Sequence, residues 1–229
     1  MNLLRAQFLR HDESSLMEES ALLVCTATEF EAEILRIELR DDRRVRLIHT
    51  GVGPVNAAHA VTLAIVQEKP KAIIACGVGG AYPASGLTIG DVVCAEREIY
   101  GDLGAQSPEG FLDMKTLGFP VVSGSSAPLF NDLPMQLFPA SQRVNFVTVS
   151  TCTGTSAVAQ TLQTRTAGAV ENMEGAAIAH VAHLHGVPVG ELRGISNVVT
   201  NRDRRSWKLK QAAEAAQRVL LDWLSKELR

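Results

Sequence analysis

The chain has 229 residues, 46% of them hydrophobic and 21% charged, enough for one compact domain with a large core. Its net charge of −3 argues against a dedicated nucleic-acid binder, although the charge is uneven: residues 201–229 carry +4 and residues 1–200 carry −7. Residues 1–20 mix Arg5, Arg10, Asp12, Glu13, Glu18 and Glu19 with no apolar segment and do not read as a signal peptide, and no apolar run approaches the ~20 residues of a membrane span.

Residues 1–20 read as an N-terminal extension and residues 21–229 as a single domain, since no Pro-, Gly- or Ser-rich linker divides them. ALLVCT (21–26) reads as a buried strand, and apolar positions at Phe30, Ile34 and Ile37 have helical spacing. VRLIHT (45–50) is a predicted strand, and GVGPVNAA turns into a helix reaching about Gln67, with Pro54 suited to its first turn. KAIIACG (71–77) and DVVCAEREIY (91–100) are further strands, the first followed by GVGGAY. Residues 101–142 are rich in Gly, Pro and Ser and show little periodicity. VNFVTVS (144–150) is a strand ending in TCTGT, and a helix follows to about Ala167. AGAVEN (168–172) is a short strand, MEGAAIAHVAHLHG a helix stopped by Gly186 and Pro188, and PVGELRGIS (188–196) a strand. The last helix is predicted from about Trp207 to Leu228, with Leu209, Ala213, Ala216, Leu220, Trp223 and Leu224 on one face.

Alternating strands and helices define an α/β class: a three-layer sandwich with a central mixed, largely parallel sheet flanked by helices. Ligands in such sheets sit beyond the carboxyl ends of strands. The polar or Gly-rich signals GVGP, GVGG, TCTGT, NMEG and SNVVTNR all fall at predicted strand ends. GVGP at 51–54 and GVGG at 77–80 can bring backbone N–H groups to a ligand or merely serve turns. Asn56 rules out a dinucleotide fingerprint, and the P-loop pattern is absent.

Each candidate residue also has a plain structural reading. Thr28 and Glu31 have capping-box spacing, while Glu31 at a strand-to-helix junction also suits a general base. Glu174 opens a helix, where a carboxylate is favourable in itself, yet a carboxylate also accepts both hydrogen bonds of a vicinal diol. Met173 is core filler or an apolar sugar contact. His180, His183 and His185 do not share one face and lack companion ligands, so no metal site is expected. Cys25, Cys76 and Cys94 lie in apolar runs as buried thiols, and Cys152 stands apart from them in TCTGT. The basic run NRDRRSWKLK (201–210) is a solvated helix start or an attractor for an anionic group.

ATEFEAEIL, HTGVGPVNAA, CGVGGAY, IGDVV, VENMEGAAIAHVA and RGISN occur in an order that resembles the methylthioadenosine/S-adenosylhomocysteine nucleosidases and their relatives, from about Leu22 to the C-terminus. EIYGDLGAQSPEGF (98–111), LGFP (117–120) and RGISNVVTNRDRRSW (193–207) are similar to the futalosine hydrolases in particular. That resemblance implies N-glycosidic hydrolysis of futalosine to hypoxanthine and dehypoxanthine futalosine in menaquinone biosynthesis. It also implies no cofactor, a nucleoside as small-molecule partner, and a homodimer or higher homo-oligomer. Together with the composition it implies a cytoplasmic enzyme.

The resemblance puts Glu31 on the water-activating glutamate and Met173 and Glu174 on the ribose-binding pair. Thr151 and Cys152 fall on a loop over the base, and Trp207 on an aromatic of the closing segment. Asn197 falls where the purine N7 edge is handled. Val78 and Gly79 belong to the substrate pocket, although the nucleosidases have Ser where Val78 stands. Arg202, Arg204 and Arg205 are candidates, with Trp207, for a carboxyphenyl group at the 5′ side.

The adenine-specific nucleosidases carry Asp at the position of Asn197. A carboxylate accepts from the adenine N6 amino group, whereas an amide N–H₂ can donate to the O6 or N7 of a 6-oxopurine. The expected substrate is therefore a hypoxanthine nucleoside. The alternatives are an adenine-releasing nucleosidase acting on methylthioadenosine, S-adenosylhomocysteine or aminodeoxyfutalosine, a phosphorylase, and a non-catalytic nucleoside-binding protein.

Overall fold

A computed structural model describes residues 21–124 and 127–228 of the chain, so the predicted N-terminal extension 1–20 lies outside the described residues. In chain order, β1 is Leu22–Thr26, followed by a 3-10 turn at Glu29–Glu31 and α1 at Glu33–Glu38. β2 is Val45–His49, α2 Pro54–Glu68, β3 Ala72–Ala81 and β4 Val92–Tyr100. β5 (Gly104–Ser107) and β6 (Gly110–Asp113) form a small separate hairpin, and α3 is Met114–Leu117. β7 is Asp132–Pro134, β8 Arg143–Thr148, α4 Ser156–Thr166, β9 Val170–Asn172 and α5 Gly175–His185. β10 is Val189–Val198, a 3-10 turn spans Arg204–Ser206, and α6 is Leu209–Glu227.

Local chemistry explains most of these bounds. Pro54 occupies the first turn of α2 behind Gly53, whose φ of 96° is open to glycine alone. Gly186 ends α5 in the left-handed region, with Pro188 just beyond. The buried face of α6 comprises Ala212, Ala213, Ala216, Gln217, Leu220 and Leu224, so the predicted apolar stripe is present.

The sheet is mixed, and its neighbours run β10-β4-β8-β9-β3-β1-β2. β1 with β2, β1 with β3, β3 with β10, β4 with β8 and β8 with β9 are parallel. β3 with β9 and β4 with β10 are antiparallel. Because β10 pairs with β3 as well as β4, the strands β3, β9, β8, β4 and β10 close on themselves. The expected mixed sheet is present, but the flat three-layer sandwich is corrected to a sheet with a barrel-like closure. Helices do flank it, with α2 and α5 covering the core around Leu23, Ile73, Phe146 and Ile195. α1 and α6 cover a second core around Val24, Leu35, Ile74, Leu192 and Leu220.

Two differences from the predicted elements shape the site. GVGG (77–80) is not a loop after β3 but lies within it, and Asn197 lies within β10 rather than past its end. Both strands are long because they pair with each other along their length, with a bulge between Ile195 and Asn197 that places Asn197 opposite Gly80. The stretch 101–142, which shows little periodicity, carries the short elements β5, β6, α3 and β7.

Candidate active site

A cavity of about 270 Å³ opens where the ends of β1, β3, β9 and β10 meet the head of α5. It is lined by Glu31, Val78, Gly79, Cys152, Met173, Glu174, Asn197 and Trp207, and by residues outside the sequence-based set, notably Glu171, Arg193 and Ser196. A larger open groove of about 1250 Å³ runs along edge strand β2 and α1. We place the site in the smaller cavity, because buried carboxylates, a buried guanidinium and an amide converge there.

Glu31 is 3% exposed. Its Oε2 accepts from the Thr28 N–H at 2.9 Å and the Thr28 hydroxyl at 2.7 Å, while Oε1 accepts from the Val78 N–H at 2.8 Å. Glu31 thus closes the Thr28 cap and also lines the cavity. One carboxylate does both, since its two oxygens point to different partners. Glu174 sits at the N-cap of α5, and its Oε1 accepts from the Gly53 N–H at 3.0 Å. GVGP thus contributes a backbone donor to a cavity carboxylate.

Arg193 joins the two acids. Its Nη1 donates to the Val78 carbonyl at 3.2 Å, its Nη2 to Glu174 Oε2 at 3.3 Å and its Nε to Glu191 Oε1 at 2.7 Å. Burial opposes its charge, but Glu191, Glu174 and Glu31 together hold the guanidinium protonated above its usual range. Gly77 makes this crossing possible: a Cβ there would lie 2.5 Å from Glu31 Oε1 and 2.7 Å from Arg193 Nη1.

Asn197 is held by Ser196, whose hydroxyl lies 2.7 Å from Asn197 Oδ1, and its Nδ2 donates to the Val198 carbonyl at 3.3 Å. Engaging Oδ1 leaves the amide a further N–H for a ligand. Glu171 fixes the loop beside the cavity. It accepts from the Thr153 N–H at 2.9 Å, the Thr153 hydroxyl at 2.5 Å and the Tyr82 hydroxyl at 2.9 Å. Burial, then the Glu171 charge, push the Tyr82 phenol up.

Several placements correct the sequence reading. Thr151 is exposed and off the cavity; buried Thr153 takes that place, because Glu171 pulls it inward. Trp207 lines the cavity but precedes α6 instead of opening it. Of the three arginines only Arg202 approaches, with its guanidinium 4.9 Å from the Trp207 ring centre and Nη1 3.2 Å from Cys152 Sγ. Arg205 is turned away by its ion pair with Asp203, and Arg204 is exposed in the preceding turn, lining neither this cavity nor the small recess beside it. No described residue of 101–142 lines the cavity. His180 and His183 make structural bonds, to Tyr100, the Val121 carbonyl and the Pro134 carbonyl, and no group able to hold a metal ion occurs among the described residues.

Arg193 and Glu171 escaped the sequence reading because their partners lie on other strands and loops, out of reach of any local spacing. The signal was there in GELRG and AVEN: a charge flanked by buried-strand residues needs a partner.

The chain matches a known class. A family model described as the Phosphorylase superfamily covers residues 25–225. A futalosine hydrolase from Streptomyces coelicolor is 38% identical over 176 residues, 74% of each chain. One from Thermus thermophilus is 31% identical over 79% of this chain and 81% of its own. The chain belongs to the Phosphorylase superfamily and, within it, to the futalosine hydrolase family. In fold it is similar to the 5′-methylthioadenosine/S-adenosylhomocysteine nucleosidase of Neisseria meningitidis, solved with methylthio-immucillin-A, with a TM-score of 0.75 and 20% identity over 91% of this chain and 100% of that one.

Proposed function

We propose that the chain hydrolyses the N-glycosidic bond of futalosine, releasing hypoxanthine and dehypoxanthine futalosine as a step of menaquinone biosynthesis. The observation that carries this is the convergence of Glu31 and Glu174 on one cavity, bridged through Val78 and Arg193, with the amide of Asn197 in its lining. In this reading Glu31 orients a water toward C1′ and takes its proton as the oxygen bonds to carbon. The C1′–N9 electron pair leaves with the purine, which Asn197 steadies at N7 or O6. Glu174 accepts from the 2′- and 3′-hydroxyls and offsets positive charge building on the ribosyl ring, against an apolar contact from Met173. Arg202, over Trp207 in the recess beside the cavity, is the candidate cation for a carboxylate at the 5′ end. Val78 and Gly79 floor the pocket, and Cys152 with Thr153 walls it beside the base.

The enzyme is read as a cytoplasmic homo-oligomer. The apolar side chains exposed on α2, with Val55 at 81% and Val66 at 62%, support an oligomer face. The deciding experiment is base release from futalosine and methylthioadenosine, side by side and without phosphate, followed by chromatography. Hypoxanthine from futalosine with no adenine from methylthioadenosine is expected. Adenine release with futalosine untouched would make the chain a methylthioadenosine-type nucleosidase and overturn the reading of Asn197.

A further inference from the structure

Glu98 on β4 and Glu191 on β10 have no exposed surface and take no part in the reaction above. Both belong to neighbouring strands, and they meet beneath the first residue of α5. Glu98 Oε1 and Glu191 Oε2 each lie 2.1 Å from where a Cβ on Gly175 would stand, so only glycine leaves room for the pair. The two carboxyl oxygens therefore face each other at close range across that one point.

Two buried carboxylates in contact repel, and burial penalises each charge separately. Glu191 has a cation to hold its charge, Arg193 Nε at 2.7 Å from Oε1. Glu98 has none; its partners are the Thr148 hydroxyl and the Asn172 amide. Glu191 Oε2, in turn, receives no hydrogen bond from any described N–H or O–H donor. A proton on Glu98 satisfies that oxygen and removes the repulsion in one step.

From this pair two hydrogen-bonded chains lead to the same residue. Through Glu191, Arg193 reaches the carboxylate of Glu174, with Nη2 at 3.3 Å from Oε2. Through Glu98, Asn172 reaches the main chain of Glu174: Asn172 Oδ1 accepts from the N–H groups of Glu174 at 2.9 Å and Gly175 at 2.8 Å. We propose that Glu98 and Glu191 form a proton-sharing positioning pair, Glu98 neutral and Glu191 ionised, that holds Glu174 by both its backbone and its carboxylate for the ribose hydroxyls. The inference rests on the reading of Glu174 as the ribose-binding carboxylate. Neither member of the pair touches substrate. The single charge it retains matches Arg193; a second would draw the guanidinium away from Glu174.

Two measurements test it. In the infrared at neutral pH, the full-length protein should show a protonated-carboxyl band that shifts in heavy water and is missing from Glu98→Gln. In steady-state kinetics, Glu191→Gln should lower kcat/KM for futalosine by ~10²-fold, the size of loss that misplacement of a reacting group brings. Its affinity for free hypoxanthine, which has no ribose, should not change. Glu98→Gln keeps a neutral group on Asn172 and should lose less, about tenfold. Absence of the band overturns the proposal whatever the substrate proves to be. So does a Glu191→Gln enzyme with full activity, or one that loses free base and nucleoside binding alike. If Glu191→Gln does not fold, the infrared comparison of the parent protein with Glu98→Gln decides alone. If the parent protein leaves futalosine intact, the functional reading fails, while the band still tests the pair.

Discussion

Glu31 shows how much one side chain can do when its two oxygens have different partners. The capping-box spacing to Thr28 is legible in the sequence, and so is the strand-to-helix position that suits a base. Glu31 closes the cap and lines the cavity at once because Val78 approaches Oε1 while Thr28 occupies Oε2. Glu31→Gln should lower kcat by roughly 10²–10⁴-fold, the usual worth of a general base, with calorimetric affinity for substrate retained. It should also cost about 1 kcal/mol of stability, because an amide N–H₂ then meets the donors of Thr28. Full turnover in that variant removes Glu31 from the mechanism. At Asn197 the argument is one of donor pattern. Asn197→Asp should reduce hypoxanthine release from futalosine by ~10²-fold or more, since a carboxylate meets O6 lone pair to lone pair. An aspartate variant with unchanged kcat/KM would separate Asn197 from base recognition.

At the scale of elements, the turn carrying Glu31 is secured from far along the chain. α1 begins after Ala32, which has no side chain to cap it. Gln217 of α6, fully buried, supplies the cap: its Oε1 accepts from the N–H groups of Ile34 at 2.8 Å and Leu35 at 3.2 Å. Its Nε2 donates to the Phe30 carbonyl at 3.2 Å, one residue before Glu31. Gln217→Ala leaves those helix-end donors buried without partners and should cost about 1–3 kcal/mol in a urea-unfolding measurement. It should also lower kcat more than it raises KM, since the turn carrying Glu31 loosens; an unchanged kcat would show that the turn holds without α6. The amphipathic stripe of α6 was readable, but Gln217 within its buried face was not. A glutamine on an apolar helix looks like a surface residue until the element it caps is packed against it.

Across the whole molecule, the buried acid pair leaves a signature in stability against pH. Burial, then the neighbouring Glu191 charge, raise the Glu98 carboxyl well above the usual range. The titratable groups around it are Glu191 and Arg193 on β10, Glu174 at the head of α5, Tyr100 on β4 and Tyr82 after β3. A carboxyl whose folded value is raised binds its proton in the native state after the unfolded chain has lost it. Its stabilisation is complete below the unfolded value and is lost as pH rises through the folded one. Stability should therefore fall from the ordinary glutamate range toward neutrality, at up to about 1.4 kcal/mol per pH unit, and Glu98→Gln should flatten that slope. The lowered carboxyls of Glu29, Asp42, Asp113 and Asp203 act with the opposite sign and only in acid. Denaturation midpoints between pH 5 and pH 8, in parent and variant, would settle it; equal slopes would place the proton elsewhere. What the sequence alone determined was local: the main strands and helices outside 101–142, the Pro54 and Gly186 boundaries, and the short-range signals beside Glu31, Glu174 and Asn197. Tertiary structure alone decided that β10 pairs with β3 as well as β4 and so closes the sheet. That closure brings Arg193, Glu191 and Glu98 under Glu174. Charges on separate strands acquire partners only when the strands pair, and no spacing along one chain records which strands those are.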